Sequence, residues 1–463
     1  MTSELTNGGA HAPSARQLTK LALPIAAGML SLSLLSLVET IILGHYNQVA
    51  LAASGAANYV FFIFLSAFAG FAISAQTQVA RYIDSDPQKA RRFVHICIFQ
   101  ITSCALLILG AVSLFKTEII AFQVNDPVLI EAGSIYLQIK TFSVLPIALL
   151  MSMRGYWHGA NKPKVFLLCL LASHIGSGVL CYLLVNGELG LPELGLNGAA
   201  VGNLISITVG TLILLLLSRH LFVKQEIQRI SLSELKTGWH LAWPTSLQQT
   251  IFAIGTAAFM AIIGRLGVSE LAAAHLLITL SLILILPIVG IGMAATTFIS
   301  QSYSQFQATG QHPELSTDWY RIAIQIAGGL VAMISLGLYA FPNEILQTLT
   351  DEPDVIDAAF IPLLVLAPSL LLEAFAITTK QSLYAIRQNK AVMKVLVFTQ
   401  WGVLLPSMLV LHLTENGSLE LYLLMHAGQR AVNSIWLYSI WRREHKRNHH
   451  SVSLDHLDMH KIN

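Results

Sequence analysis

A hydrophobic passage occurs twice in this chain, and the duplication limits the folds that the chain can adopt. The residues LALP at 21–24 return as LAWP at 241–244, which is 220 positions later. At the same spacing Gly70 aligns with Gly290, and no gap is needed across positions 21–77. A repeat of this kind predicts two structural units with the same fold.

A weaker match extends the repeat towards the C-terminus. The turn Asp126-Pro127 aligns with Glu352-Pro353 at a spacing of 226, so the second copy has gained six residues. Long hydrophobic repeats are typical of secondary transporters, whose two homologous halves enclose a cavity where they meet.

The composition places the repeat in a membrane. Only 11% of the residues are charged and 54% are apolar, whereas a soluble domain carries about 25% charged residues. The four cysteines lie in apolar runs, which predicts buried thiols and no disulfide framework. The polar N-terminal segment lacks a short apolar core with a cleavage site, so we expect no cleaved signal peptide.

The apolar runs predict the number of membrane crossings. A helix needs about 20 apolar residues to cross about 30 Å of hydrocarbon. We therefore predict an all-α integral membrane protein, with twelve transmembrane helices in two pseudo-symmetric six-helix lobes around a central cavity. The predicted spans are 17–43, 49–79, 93–115, 130–153, 164–186, 196–218, 240–264, 270–299, 320–341, 356–380, 391–412 and 419–441.

The positions of Lys and Arg predict the orientation. With both termini placed on one side, 23 of the 27 lie on that side, and only Lys116 and Arg265 lie on the other. The remaining two, Lys140 and Arg430, fall within spans. Because basic loops stay in the cytoplasm, both termini are predicted to be cytoplasmic.

The charge pattern also predicts the domain boundaries. Residues 1–16 form a cytoplasmic tail and residues 17–222 the N-lobe. Residues 223–238 are a charged cytoplasmic linker, and residues 239–441 form the C-lobe. The last segment, 442–463, is a basic cytoplasmic tail, for which solvation is favoured over metal binding.

Two acids within the spans are the leading candidates for function. Glu39 lies in span 1 and Glu373 in span 10, and the repeat places Phe259 and Ile147 at the equivalent positions. The fold therefore tolerates a hydrophobic residue at each place, although a charge in the membrane costs a few kcal/mol. A buried carboxyl group can exchange a proton near neutral pH. An ionised one can hold Na⁺ or a cationic substrate. The alternatives are an interfacial Glu39 that reaches towards water and a Glu373 with only a structural partner.

Lys140 in span 4 and Arg430 in span 12 are the candidate charge partners. Lys140 shares a lobe with Glu39, and Arg430 shares one with Glu373. The hypothesis is one acid and one base in each lobe, where protonation of the acid releases its base. Purely structural ion pairs, or side chains that reach the interface, explain both bases about as well.

Polar and aromatic side chains in the spans complete the candidate set. Polar groups avoid lipid, so they are predicted to line the cavity or to join helices. Aromatic rings near the cavity could stack on a flat cation, although contact with lipid or with the core is the commoner role of such rings. The candidates for cavity or substrate contact are Asn58, Tyr59, Gln76, Tyr136, Ser177, Asn203, Gln248, Gln249 and Phe252. The candidate stacking rings also include Phe62, Trp157 and Phe259.

Several motifs are absent from the sequence. It contains no phosphate-binding loop with Lys and Ser/Thr, no metal-ligand spacing and no nucleophile elbow. We therefore expect no enzyme, no ATP drive, no cofactor, no tight metal site and no nucleic-acid partner.

Three segments resemble the multidrug and toxic compound extrusion (MATE) family. LVETIILGH (37–45) resembles that family's first span, RGYWHGANKPK (154–164) its loop after span 4, and LGLNGAAVGN (194–203) its entry to span 6. The resemblance covers about residues 17–441 and implies a bacterial inner-membrane protein. Family members usually have Asp at the position of Glu39, and many of the NorM-like branch have Asp where this chain has Glu373.

The chain departs from the family where sodium ligands are expected. Many members have Asn and Asp where this chain has Ser177 and Cys181, and members with a second-lobe sodium site often have Glu where it has Phe252. Fewer oxygen ligands favour H⁺ over a tight Na⁺ site, although Na⁺ near Glu39 stays open.

The resemblance implies a secondary antiporter, and three alternatives to that function stay open. It would export organic, cationic and lipophilic compounds in exchange for H⁺ or Na⁺, by rocking its two lobes, and we expect a monomer. The alternatives are a flippase for a lipid-linked precursor, an exporter of one endogenous metabolite, and a channel or scaffold. The buried acids argue against a scaffold.

Overall fold

The computed structural model describes residues 13–222, 230–350 and 352–459, and within these ranges the chain is almost entirely helical. The helices of the first half are α1 (Ala15–Tyr46), α2 (Gln48–Ser66), α3 (Ala69–Tyr82), α4 (Pro87–Ala121), α5 (Pro127–Thr141), α6 (Val144–Gly159), α7 (Pro163–Asn186) and α8 (Leu196–Leu217). Those of the second half are α9 (Leu232–Ile263), α10 (Val268–Thr309), α11 (Leu315–Ala340), α12 (Pro342–Leu349), α13 (Pro353–Ala385), α14 (Asn389–Val397), α15 (Leu405–Leu413) and α16 (Leu419–Met459). A π-helical segment, Phe398–Leu404, joins α14 to α15.

Eleven of the twelve predicted spans have a counterpart among these helices by length and hydropathy. Ten helices or helix runs among the described residues are long and apolar enough to cross a membrane, and α5 with α6, bent by 45°, is an eleventh candidate. The predicted twelfth span lies in α16, where His426, Gln429 and Arg430 interrupt the apolar sequence. α16 packs along α13, and the Ser434 hydroxyl donates to the Leu372 carbonyl at 2.7 Å. The polar residues of α16 therefore turn into the lobe.

Two boundaries differ from the sequence prediction. α9 begins at Leu232, within the predicted linker 223–238, because Ser231 and Glu234 form a capping box that starts the helix there. Residues 223–229 of that linker lie outside the described residues, as do residues 1–12 and 460–463 of the two predicted tails. α16 continues to Met459, so the described part of the C-terminal tail is helical.

The repeat is visible in the backbone. α5 begins at Pro127 and α13 at Pro353, which keeps the 226-residue spacing. The turns after α6 and α13 contain Asn161 and Arg387, again 226 apart, with φ of 59° and 65°. Left-handed backbone is uncommon outside glycine, so the shared conformation marks equivalent turns. The two halves therefore have matching fourth spans.

Each half has its own apolar core. The N-lobe core contains residues from α1 to α8, such as Leu43, Ile101 and Leu214. The C-lobe core contains residues from α9 to α16, such as Ile263 and Leu437. A few residues cross over: Leu18, Leu21, Ala22 and Ile25 of α1 and Ile73 of α3 pack into the C-lobe core, and Ala242 of α9 packs into the N-lobe core.

The crossing points of the two lobes are related by the repeat. A Cβ built on Gly70 of α3 would lie 2.4 Å from the Ser246 Oγ of α9. One built on Gly290 of α10 would lie 2.8 Å from the Ala26 Cβ of α1. Gly70 and Gly290 are 220 apart, as are Ala26 and Ser246. Each lobe therefore contributes one glycine that lets a helix of the other lobe approach its backbone closely.

We call these contacts, and the hydrogen bonds beside them, the seam. Gln76 donates across it to the Met293 carbonyl at 2.7 Å, and Arg81 donates to Gln307 at 2.9 Å. Among the described residues, the interlobe hydrogen bond nearest the opposite end joins the Tyr59 hydroxyl to the Ala253 carbonyl at 2.9 Å. These two residues lie about 15 Å of helix rise from the far ends of their helices. We call the end of the bundle that contains the seam the basic side, and the lobes separate towards the other end.

Replacing Gly290 with leucine should push the seam open. The new side chain would overlap α1 at Ala26, so α1 and α10 must separate. In a variant without native cysteines, the buried Met293→Cys should then react several-fold faster with a membrane-impermeant maleimide. Gly328→Leu on α11, where nothing lies within 4 Å of an added Cβ, is the matched control. Equal labelling in all three backgrounds would show that the seam does not depend on this contact.

Candidate functional site

The predicted acid of the first lobe lies at the centre of a four-residue cluster. Glu39 comes from α1, Asn58 from α2, and Tyr136 and Lys140 from α5. Tyr136 and Lys140 are four residues apart, which places them on the same face of α5. Glu39 is seven residues before the end of α1 at Tyr46, so the cluster lies on the open side of the seam. We call it the Glu39 cluster.

The lysine ammonium uses all three of its N–H groups within this cluster. Lys140 Nζ lies 2.9 Å from Glu39 Oε1, 2.6 Å from Asn58 Oδ1 and 2.9 Å from the Tyr136 hydroxyl oxygen. An ammonium has three donors and no acceptor, so each donor has one oxygen. The Tyr136 hydroxyl in turn donates to Glu39 Oε1. The four side chains form one closed hydrogen-bond network.

The network explains how two charges persist inside the lobe. The exposed fraction of the side chain is only 7% for Lys140 and 11% for Glu39. Such pairs repay the cost of leaving water only where further hydrogen bonds satisfy both partners. Aromatic rings add to this, because the ammonium lies 5.7 Å from the centroid of Phe61 and 5.2 Å from that of Tyr136.

The cluster leaves little room for a second cation. The Lys140 ammonium already occupies the position between the Glu39 and Asn58 oxygens. Ser177 accepts a hydrogen bond from Asn203 at 3.3 Å, and Cys181 is buried in the core of the N-lobe. A sodium ion bound by both Glu39 Oε1 and Asn58 Oδ1 would have to displace the ammonium.

The second acid has a different environment. Arg430 Nε of α16 lies 3.4 Å from Glu373 Oε2 of α13, and Arg430 Nη1 donates to the Ser369 hydroxyl at 2.7 Å. The Glu373 side chain is 26% exposed, and the Arg430 side chain 7%. Each lobe therefore holds one acid beside one base, and the carboxylate of the C-lobe is the more open of the two.

Most of the other polar candidates join helices. Gln76 lies in the seam and Tyr59 bridges α2 to α9. Gln248 accepts a hydrogen bond from Tyr384 at 3.0 Å inside the C-lobe. Gln249 is half-buried. The sequence left open whether these residues line the cavity or join helices. In the structure, the side chains that form hydrogen bonds between helices are Gln76, Tyr59, Gln248 and Asn203.

Three of the aromatic candidates lie in the core of a lobe and not at an open surface. Tyr136, Trp157 and Phe259 are 0%, 7% and 4% exposed, because they pack within the lobes. Trp157 donates its indole N–H to Ser218, and Phe259 packs against His426. Phe62 and Phe252 remain open to a ligand or to lipid, being 55% and 48% exposed.

Three cations that the charge pattern places in basic loops lie within helices. Arg81 lies in α3, Arg154 in α6 and Lys380 in α13. Arg154 and Lys380 are 226 apart, so they occupy equivalent places in the two lobes. Comparison of the repeats could have found that equivalence. The burial of Arg81, which is only 5% exposed, depends on contacts between the lobes that no local pattern shows.

Two homologous helical lobes, with an ion pair inside each and a seam at one end, are the architecture of an integral membrane transporter. The MatE family model matches residues 24–183 and again residues 244–408. Both matches begin at the repeated proline, and together they span well over half of the chain. The chain therefore belongs to the MATE family, whose members are transporters and not enzymes.

Curated relatives agree over most of the length. A multidrug resistance protein NorM of Burkholderia vietnamiensis is 26% identical over 429 residues, which is 88% of this chain and 89% of the relative. A probable multidrug resistance protein NorM of Thermotoga maritima is 22% identical over 355 residues, covering 75% of each chain.

Solved structures share the fold. A structure described as the outward-facing conformation of a multidrug resistance MATE family transporter of the MOP superfamily has a TM-score of 0.84 at 18% identity, covering 94% of this chain and 96% of that one. A MOP superfamily transporter from Pyrococcus furiosus, described as having a binding pocket of reverse polarity that suggests a different function, has a TM-score of 0.83 at 17% identity with the same coverage.

Removing the lysine alone should damage the protein more than removing the whole pair. Lys140→Met leaves Glu39 as an uncompensated buried charge, at a cost of about 3 kcal/mol. The double variant Glu39→Gln/Lys140→Met removes that charge and should recover much of the lost Tm in detergent. Lys116→Met, which removes the contact of Lys116 on α4 with Gln138 on α5, is the control and should change Tm little. If the double variant is no more stable than Lys140→Met, the pair does not hold two coupled charges.

Proposed function

We propose that this protein is a proton-coupled antiporter that exports organic cations, with Glu39 as its coupling carboxyl group. The observation that carries the proposal is the closed network of Glu39, Asn58, Tyr136 and Lys140. The Lys140 ammonium occupies the position that a transported cation would take beside Glu39. A proton, unlike a sodium ion, can bind the carboxylate without a set of oxygen ligands.

The charges give the proton a direct effect on the site. A proton on Glu39 cancels the carboxylate, and Lys140 then keeps only the neutral oxygens of Asn58 and Tyr136. An unpaired charge in low dielectric is unstable, so α1 and α5 must rearrange or the ammonium must reach water. Proton binding and the present arrangement of α1 are therefore coupled. By linkage, a cationic substrate that needs the carboxylate weakens proton binding, and the proton weakens substrate binding.

The Glu373 pair supplies a second place for a cationic substrate. Its carboxylate is more exposed than that of Glu39, and its contact with Arg430 is longer, at 3.4 Å against 2.9 Å. A substrate can therefore compete for it at lower cost. Phe252 and Phe62 offer apolar surface for the lipophilic part of the same molecule.

The seam gives the direction of transport. The excess of Lys and Arg assigns the basic side to the cytoplasm, so both termini are inside and the lobes separate towards the outside. In this state the Glu39 cluster is reached from outside, where protons enter and substrate leaves. Rocking the lobes about the contacts of Gly70 and Gly290 would close the outer end and open the seam. One chain carries both lobes, so a monomer in the bacterial inner membrane suffices.

The family supports the efflux role. The relatives in Burkholderia vietnamiensis and Thermotoga maritima are described as multidrug resistance proteins. Lys140 and Arg430, the bases beside the two candidate acids, are each offset by a carboxylate, so neither ion pair leaves a net positive charge for a pyrophosphate-linked lipid. That balance favours a cationic drug over a lipid-linked precursor.

Ethidium efflux from loaded cells tests the coupling. Efflux by the wild type should follow an imposed proton gradient and not a sodium gradient. Glu39→Gln should abolish it, because the amide cannot take up and release the proton. Glu118→Gln, an exposed acid on α4, is the matched control and should transport normally.

Other outcomes would revise the proposal. Efflux that follows the sodium gradient would reject proton coupling. Efflux that survives in Glu39→Gln would reject Glu39 as the coupling group. No efflux by the wild type under either gradient would point to a flippase or to an exporter of one endogenous metabolite.

A further inference from the structure

Arg81 and Arg387 both donate hydrogen bonds across the seam, and no described residue pairs a carboxylate with either of them. Arg81 of α3 donates to the Gln307 side chain at 2.9 Å and to the Ala385 carbonyl at 3.5 Å. Arg387, in the turn after α13, donates to Gln78 at 2.6 Å. Every hydrogen-bond acceptor of these two guanidinium groups among the described residues is therefore neutral. Two like charges share one interface, which costs free energy unless an anion offsets them.

The same place contains buried donors that lack acceptors. Neither Arg81 Nε nor Gln78 Nε2 has a hydrogen-bond partner within the described part of the chain. Arg81 is 5% exposed and Gln78 only 2% exposed. A buried donor left without an acceptor costs about 1–3 kcal/mol. Native proteins rarely leave one without a water or a bound ion.

The unpaired donors lie on one face. Gln78 and Arg81 are three residues apart on α3, so their side chains leave the helix in nearly the same direction. The Tyr303 ring packs against the Arg81 guanidinium, with 5.2 Å between the guanidinium carbon and the ring centroid. Arg387 is exposed and lies at the mouth of the group, towards the basic side. The group therefore has a buried end, which we call the floor, formed by Gln78 and Arg81, and an exposed end formed by the charged Arg387.

We propose that this group binds a small inorganic anion of the chloride class. The anion would accept hydrogen bonds from Arg81 Nε and Gln78 Nε2, and would offset the charges of Arg81 and Arg387. The burial of the floor favours a monatomic ion over phosphate or a lipid headgroup. Chloride needs only donors and positive charge, and the seam supplies both.

The site exists only while the seam is closed. Gln78 and Arg81 belong to the N-lobe, and Arg387 belongs to the C-lobe. Opening the seam would separate them, so an anion bound there stabilises the outward-open state by its differential affinity. Chloride in the cytoplasm would thereby hold the transporter closed on that side.

Thermal unfolding of the purified protein tests the proposal without substrate or gradient, so its result is independent of the proposed function. Gluconate is replaced by chloride at constant ionic strength. The wild-type Tm should rise as chloride fills the site, by about 2 °C when the chloride concentration is tenfold above Kd. Arg387→Gln, at the exposed mouth, and Arg81→Gln should each lose the rise. Arg321→Gln, whose side chain contacts Asp318 on α11, is the control and should keep it.

Diffraction from crystals soaked in bromide gives a second measurement that does not depend on any variant. An anomalous peak between Gln78, Arg81 and Arg387 is expected. A wild-type Tm that does not respond to chloride, or a response that both variants retain, would overturn the proposal. A rise with phosphate or with anionic lipid, and none with chloride, would overturn the assignment to a small anion.

Discussion

The absence of water in the hydrocarbon core governs this structure. A polar group there must find its partner within the protein, which leaves helices for the backbone and closed networks for the side chains. Lys140 shows the rule most completely, because each of its three N–H groups has an oxygen acceptor from Glu39, Asn58 or Tyr136. The same rule brings α16 into the C-lobe, where Arg430 meets Glu373 and Ser369. A proton can act as a signal at such a site because it upsets an otherwise balanced network.

Symmetry and asymmetry serve different purposes in the two lobes. The seam is symmetric: Gly70 faces Ser246 as Gly290 faces Ala26, so the two lobes meet at equivalent contacts. The charges are asymmetric, because Glu39 has Phe259 as its counterpart in the repeat. A symmetric hinge lets the molecule adopt two related states. An asymmetric charge makes those states respond differently to a proton. The seam arginines add an anion-dependent bias to the same equilibrium.

Much of the fold and part of the site could be predicted from the sequence. Apolar runs located the spans because crossing a bilayer demands length and hydrophobicity from each helix alone. The pairing of Glu39 with Lys140 was a reasonable hypothesis, since two opposite charges in one lobe must find each other. The burial of Trp157 and Phe259 was not predictable from the sequence. Both faces of a membrane helix are apolar, so periodicity does not show which face is buried. Arg81 was assigned to a loop because its burial comes from the other lobe.

The sequence by itself determined that the chain is a duplicated membrane protein, that most of its basic residues mark one side, and that Glu39 and Glu373 lie within predicted spans. These properties are local or additive along the chain. Only the tertiary structure decided that the Lys140 ammonium lies between the Glu39 and Asn58 oxygens, that the lobes meet on the basic side, and that Arg81 and Arg387 have only neutral acceptors among the described residues. Each of these depends on how helices distant in sequence pack together. Their packing follows from the fit of many side chains at once, which no single segment encodes.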